Sequence, residues 1–459
     1  MRESRRGYLA LVAGSAVVAM VLAACGSSGG SGGSGSSGGS GSSASPSSGS
    51  GSGEALTASA PGITPTSILI GSHQPLTGPA APGYSEISAA SNAYFQYVNA
   101  HGGIYGRKIK YTYLDDGYDP SKTVTVVHQL VLQDNVFAIF NGLGTPTHLA
   151  VASYLNANKV PDLFIASGCD CWDNPATYPD SFGWQLDYVR EGKILGAYVK
   201  QHFAGKKIGY FFQNDEFGQD GVKGLDMEIP HSQVVSKQSY VPTNVNVGPA
   251  VAALKASGAQ VVVSFSIPAF TALLKLAALK LGWNPTFVVS DVGSDPITLA
   301  GLLEAFAKKG GATVQGNQLT QGIITDGYLP TLGNMSNSWI ALFEKVHKTY
   351  DAKAPFDGNV LNGEAVAYAF VQAMVKAGKN PTRASVVKAI EGGIPQGPSV
   401  APYDYSATDH GGMMGAFIGV IQNGAIVQQG PVLTTDTTPT GAVTPFTGTQ
   451  PAAPASGMP

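Results

Sequence analysis

Positive charge is thin in this sequence and nowhere clustered beyond its first residues: 27 Lys and Arg stand against 30 Asp and Glu in 459 residues, a net charge of −3. Phosphate recognition needs grouped Lys and Arg, so a nucleic-acid partner is excluded. Cysteine is nearly missing, and three in the chain cannot staple a fold of this size. No Cys or His pair stands near Cys169 and Cys171 to complete a zinc ligand set, so no metal is expected. The body has no Gly-x-Ser-x-Gly elbow, Walker loop or His-Glu-x-x-His. Asp115 with Asp116 and Asp215 with Glu216 are adjacent carboxylates, but both pairs fall just past strands, where acids cap the next helix or face solvent. No enzymatic function and no cofactor is therefore expected. Long apolar runs are missing too, since residues 8–22 hold only about 15 positions, short of a comfortable membrane span.

What that run does have is the form of a secretion signal, with Arg2, Arg5 and Arg6 before it. Leu22, Ala23, Ala24 and Cys25 then follow, which resembles the lipobox of bacterial lipoproteins. The resemblance implies a signal peptide over 1–24, cleavage before Cys25 and a diacylglyceryl thioether on its sulfur. More than one acyl chain there holds a protein to a membrane stably. Residues 26–53 are almost wholly Gly and Ser, with no apolar surface to bury, so 25–65 is expected to be a lipidated cysteine and a coil-like tether. The expected location is extracytoplasmic, on the cell membrane.

The body alternates. Residues 136–140 form a short, wholly apolar run, the pattern of a strand covered on both faces. It breaks at Asn141, Gly142, Leu143 and Gly144, and Thr145 with Pro146 reads as the N-cap and first residue of a helix running to about Asn158. A second strand, 163–166, ends in another polar loop, Ser167, Gly168, Cys169, Asp170, Cys171 and Trp172. The same alternation, with Asp-Pro helix starts at Asp119 and Asp295, recurs from 67 to 188 and again from 191 to 296, and a hairpin turns at Asn423 and Gly424. Strands alternating with helices imply an α/β fold with two doubly wound, parallel-sheet lobes. In such sheets ligands sit beyond the carboxyl ends of the strands, the edge that both polar loops occupy. Free N–H groups at the helix start, with the Thr145 and Ser167 hydroxyls, suit a carboxylate, although the same hydroxyls also serve as plain caps.

Several segments of the body resemble the substrate-binding proteins of branched-chain amino-acid ABC transporters, the Leu/Ile/Val-binding protein family with its type I periplasmic-binding fold. They are Pro75, Leu76, Thr77 and Gly78; the run from Asn99 through Gly102, Gly103 and Ile104 to Gly106 and Arg107; Val160 with Pro161; and Asn214 to Gly218. The resemblance implies a clamshell with a three-crossing hinge: lobe 1 from 66–187 plus 325–395, lobe 2 from 188–324 plus 396–432, and ligand between them. The Thr- and Pro-rich 433–459 is expected to be disordered. By carry-over, Gly144, Thr145, Ser167 and Gly168 grip a ligand carboxylate and Asp291 faces an ammonium. Tyr84, Trp172 and Phe217 either wall the cleft for a larger or aromatic ligand or pack as core. Cys169 and Cys171 are either bridged across one residue or free thiols. The function implied is capture of a small polar ligand, an amino acid or related carboxylate or amide, by a monomer that delivers it to an ABC permease. A ligand-sensing module of the same fold and a small-amide hydrolase are the alternatives; the lack of a membrane helix or output domain after the second lobe favours transport.

Overall fold

The computed structural model describes residues 54–459. The expected signal peptide, Cys25 and most of the tether lie outside the described residues. Among these residues no helix is long and apolar enough to cross a membrane.

The first sheet is built from β1 (Ser67–Gln74), β2 (Lys108–Asp115), β3 (Ile139–Phe140), β4 (Asp162–Ile165) and β5 (Ser181–Gly183), all parallel in the order β2-β1-β3-β4-β5. The second contains β6 (Ile208–Gln213), β7 (Val234–Tyr240), β8 (Val261–Phe265), β9 (Thr286–Val289), β10 (Ile324–Gly327), β11 (Gly415–Gln422), β12 (Ala425–Thr434) and β13 (Thr444–Pro445). Its order is β13-β12-β11-β10-β9-β8-β6-β7; the strands from β7 to β10 are parallel and the last three antiparallel. Strands β3, β4 and β8 are buried along their whole length, the reason their sequences are mostly apolar rather than alternating, with Asp162 and Ser264 the buried exceptions.

Local chemistry fixes the joints. The Asp119 carboxylate accepts from the Ser121 N–H at 2.9 Å and Asp295 from the Thr298 N–H at 2.8 Å, each before a proline that opens its helix. Asn423 and Gly424 have φ of 52° and 78°, as a two-residue hairpin turn requires. The helix Thr145–Ala157 departs from expectation, because Gly144, at φ 103°, is its N-cap and Thr145 is its first residue. A Cβ on Gly144 would sit 2.5 Å from both Thr147 Oγ1 and the Tyr118 ring, so the loop demands glycine.

The chain passes between the sheets near 184–187, 328–337 and 396–414, where the passing segments hold one another. Leu186 and Tyr403 both bridge Met413, and the Val400 N–H donates to the Tyr328 carbonyl at 3.0 Å. Strand β10 pairs with β9 and β11, so residues 325–327, expected in the first lobe, belong to the second.

Two segments read as coil are packed instead. Arg107, the arginine of the Gly-Arg motif, is buried and donates to the carbonyls of Thr64 at 2.6 Å and Thr57 at 2.9 Å, so the stretch expected as the end of the tether is part of the body. The tail 433–459 is not disordered. Buried Lys193 of the second lobe donates to the Asp436 carbonyl at 2.8 Å and the Thr438 carbonyl at 2.6 Å. Trp339 then holds the Pro451 carbonyl at 2.6 Å, Tyr97 the Ser456 carbonyl at 2.7 Å and Tyr94 the Gly457 carbonyl at 2.8 Å, all from the first lobe. A tail of Thr, Pro, Gly and Ala has few side chains to bury, but its carbonyls are acceptors, and the body supplies the donors. The chain thus crosses between the lobes a fourth time.

Candidate functional site

A cavity of about 360 Å³ lies between the lobes, at the carboxyl ends of the strands. Of the residues singled out in the sequence, Tyr84, Gly144, Thr145, Phe217 and Asp291 line it. Thr145 projects from the first turn of its helix, and its hydroxyl is 2.7 Å from that of Ser167. Pro146 brings no N–H, and the N–H of cavity-lining Thr145 enters no backbone hydrogen bond, which leaves a donor at the cavity wall. Tyr84 stands just after the kink at Pro82 and Gly83, and its hydroxyl donates to the Val292 carbonyl of the opposite lobe at 2.5 Å. Phe217, 2% exposed, packs its ring tilted against that of Tyr188, 4.7 Å between centroids.

Asp291 is the acid of the second lobe. Its N–H donates to Glu191 and to Asp326, each at 3.0 Å, so three carboxyl groups share one corner. Burial, and then the charge of Asp326, hold Asp291 well above the ordinary carboxylate range; burial lifts Glu191 to about 7. The Tyr328 hydroxyl is hydrogen-bonded to Asp291 and partly offsets this. Among the described residues no Lys, Arg or His lines the cavity.

The other three residues do not reach it. Ser167 is fully buried behind Thr145 and meets the cavity through that hydroxyl and that of Tyr188. The Gly168 carbonyl accepts from the Tyr188 N–H at 2.6 Å, and a Cβ there would lie 2.3 Å from the Leu186 carbonyl, so this glycine lets the first crossing pack against its loop. Trp172 is core: 1% exposed, it packs with Ala152, Ile165 and Cys169 and turns its face to the edge of His148 at 5.2 Å. The large aromatic is better buried there, behind the sheet edge, than turned to the cleft. Cys169 and Cys171 are joined by a disulfide. It braces Asp170, whose N–H donates to Asp220 at 3.0 Å and whose carboxylate accepts from Lys223 at 2.8 Å, both across the cleft.

Residues missed in the sequence complete the walls: Tyr118, Gln185, Tyr188, Asp295 and Tyr328. Tyr118, in the loop after β2, has φ 60°, and its hydroxyl accepts from Gln213 of the other lobe at 3.1 Å. Every loop at the carboxyl edge of the sheet is a candidate, and applying that rule to β2 would have found it. Tyr188 and Tyr328 lie at crossings, which sequence pattern does not reveal. With the rim contacts of Asp295 to the Gly358 N–H at 2.9 Å and Asn359 to the Thr298 hydroxyl at 3.1 Å, the lobes are closed over the cavity. Asp295 and Asp357 face each other at this rim beside Glu86; burial and then Asp357 raise Glu86 to about 8, and burial and then Asp357 raise Asp295 to about 6.

Behind the Thr145 loop runs a fully buried row. Asp116 meets His73 Nδ1 at 2.8 Å, His73 Nε2 meets His148 Nδ1 at 2.8 Å, and His148 Nε2 meets Asp162 at 2.6 Å. Gly142 rests on both rings, where a Cβ would lie 2.5 Å from His73 Nε2 and 2.6 Å from His148 Nδ1. Among the described residues no group of three His, Cys, Asp or Glu side chains is placed to hold a metal ion.

Comparison with known proteins agrees with this architecture. The family model described as "Periplasmic binding protein" matches residues 67–425. The Leu/Ile/Val-binding protein homolog 3 of Brucella melitensis is 22% identical over 351 residues, covering 74% of this chain and 88% of the relative. Among solved structures, a branched-chain amino-acid ABC transporter protein from Thermus thermophilus with bound valine superposes with a TM-score of 0.70 at 18% identity, covering 81% of this chain and 97% of that one. A fatty acid ABC transporter substrate-binding protein from Thermomonospora curvata gives 0.67 at 21% identity, covering 82% and 94%. With two α/β lobes closed over a cavity and a family match running from β1 to the first residue of β12, the chain belongs to the periplasmic binding protein family, with a type I fold.

Proposed function

We propose that this protein is an extracytoplasmic solute-binding lipoprotein, anchored through Cys25, that captures a small polar ligand and delivers it to an ABC permease. The ligand is an amino acid or a related carboxylate or amide, the protein acts as a monomer, and it binds without chemical conversion. The observation that carries the reading is the closed cavity, with the helix-start N–H and hydroxyl of Thr145 on one wall and Asp291 on the other. Acceptor-rich head groups suit the first wall. Opening and closing about the crossings is a two-state shift that ligand biases toward the closed form, the form a permease would recognise.

The test is the unfolding midpoint of the purified chain against amino acids, amides and carboxylates. A ligand at 100 times its dissociation constant adds about 2.7 kcal/mol of stability. A ligand recovered unchanged that raises the midpoint supports the reading, and a panel with no effect at millimolar concentration sinks it. Labelling with radioactive palmitate that is lost in Cys25→Ala tests the anchor separately.

A further inference from the structure

The cavity is longer than an amino acid needs. Its floor includes Phe417, which faces Gly327 across the β10–β11 ladder, and continues to Ala425 and Ile426 at the hairpin turn. Phe417 and Gln422, the partner of Ala425, are separated by roughly 17 Å of strand at about 3.3 Å per residue. Two glycines keep that floor low. A Cβ on Gly327 would lie 2.6 Å from the Phe417 ring and one on Gly419 2.4 Å from Ile426 Cγ2, so both side chains lie flat over bare backbone. Leu329, Leu332 and Phe356 also line it, as does Ile297, 42% exposed on the first turn of its helix.

Charge is nearly missing from this channel. Among the described residues Asp291 and Asp295 are its only charged lining residues, and Asp295 already accepts from the Thr298 and Gly358 N–H groups. Asp291 is left as the sole counter-charge for an ammonium, and burial beside Asp326 favours its protonated form, which donates a hydrogen bond rather than offering a negative charge. An amino acid would meet a poor ammonium site and leave the apolar end of the channel unfilled.

Resting on the capture reading above, we infer that the ligand is an extended one: a carboxylate or amide head against the Thr145 helix start, and an unbranched aliphatic chain along Leu329, Leu332, Phe417 and Ile426. The head is set by the N–H and hydroxyl of that helix start, and the chain by an apolar trough whose floor two glycines keep low.

The experiment is calorimetric titration of the full chain with butyrate, octanoate and dodecanoate below their micelle concentrations, the corresponding amides, and leucine. Affinity is expected to rise roughly fourfold for each methylene that is buried. In Ile297→Asp and Leu332→Ser, which alter the channel and spare the sheet core, the rise with length is expected to flatten. Leucine binding with no gain from butyrate to dodecanoate overturns the extended ligand and leaves the capture reading standing. Silence from every compound overturns both, and a length dependence unchanged in both variants overturns the placement of the chain in this channel.

Discussion

The two lobes meet the cavity with different chemistry. The first, on a five-stranded parallel sheet, brings Tyr84, Tyr118, Gly144 and Thr145, none of which carries a charge. The second, on an eight-stranded mixed sheet, brings Asp291 and Asp295, with Glu191 and Asp326 behind them. One wall is held by backbone geometry, in which a left-handed glycine and a helix start leave an N–H nowhere else to point. The other is held by carboxyl groups crowded enough to compete for protons. Closure therefore brings a fixed donor surface against one whose charge varies with pH.

The contrast can be broken hardest on the fixed side. Gly144→Ala forces a Cβ into the Thr147 hydroxyl and a residue into φ 103°, and is expected to cost about 1–3 kcal/mol in urea unfolding and to abolish ligand-induced stabilisation. Next comes the fourth crossing. Lys193→Met removes the buried ammonium that the tail carbonyls receive and should cost about 1.5–3 kcal/mol. Faster proteolysis after residue 434 and faster ligand release should accompany it; an uncleaved tail would argue that the remaining first-lobe contacts suffice.

The variable side is sharpened by pH. Glu86 and Asp295 are raised above their unfolded values, so folding favours their protonated forms. The stabilisation from their protonated forms is full below the unfolded carboxylate range and is lost as pH rises through about 6 for Asp295 and about 8 for Glu86. Ligand affinity should weaken from pH 6 to pH 9, and Glu86→Gln should flatten the upper part of that profile; an unchanged profile would show that the rim acids do not govern closure. The smallest effect is expected at the exposed rim pair. Lys223→Ala loses its contact with Asp170 and should change stability by about 0–1 kcal/mol, less still in high salt.

Much of the fold was legible because its signals are local. Apolar runs such as 136–140 mark buried strands, Asp119 and Asp295 mark helix starts, and Asn423 with Gly424 marks the hairpin. The strand–loop pattern pointed to the loop of Thr145, whereas Phe217 and Asp291 were named through the family resemblance; all three line the cavity. Trp172 stayed open between cleft wall and core because its burial depends on His148 and Ile165, neighbours that composition does not reveal. The tail was missed for a different reason: its order comes from Lys193, Trp339, Tyr94 and Tyr97, all far from it in sequence. Patterns within a segment cannot register donors that another segment supplies.

The row of buried groups behind Gly142 has a consequence of bookkeeping in hydrogen atoms. Three contacts in line, from Asp116 through His73 and His148 to Asp162, need three hydrogens between them, and two uncharged imidazoles carry only two. Without a third, one of the three contacts, each 2.6–2.8 Å long, would meet lone pair to lone pair. Burial keeps the charge off His73, so the row holds its third hydrogen elsewhere along its length. The first lobe therefore folds around a captured proton, and the loop that presents Gly144 and Thr145 to the cavity is propped on it.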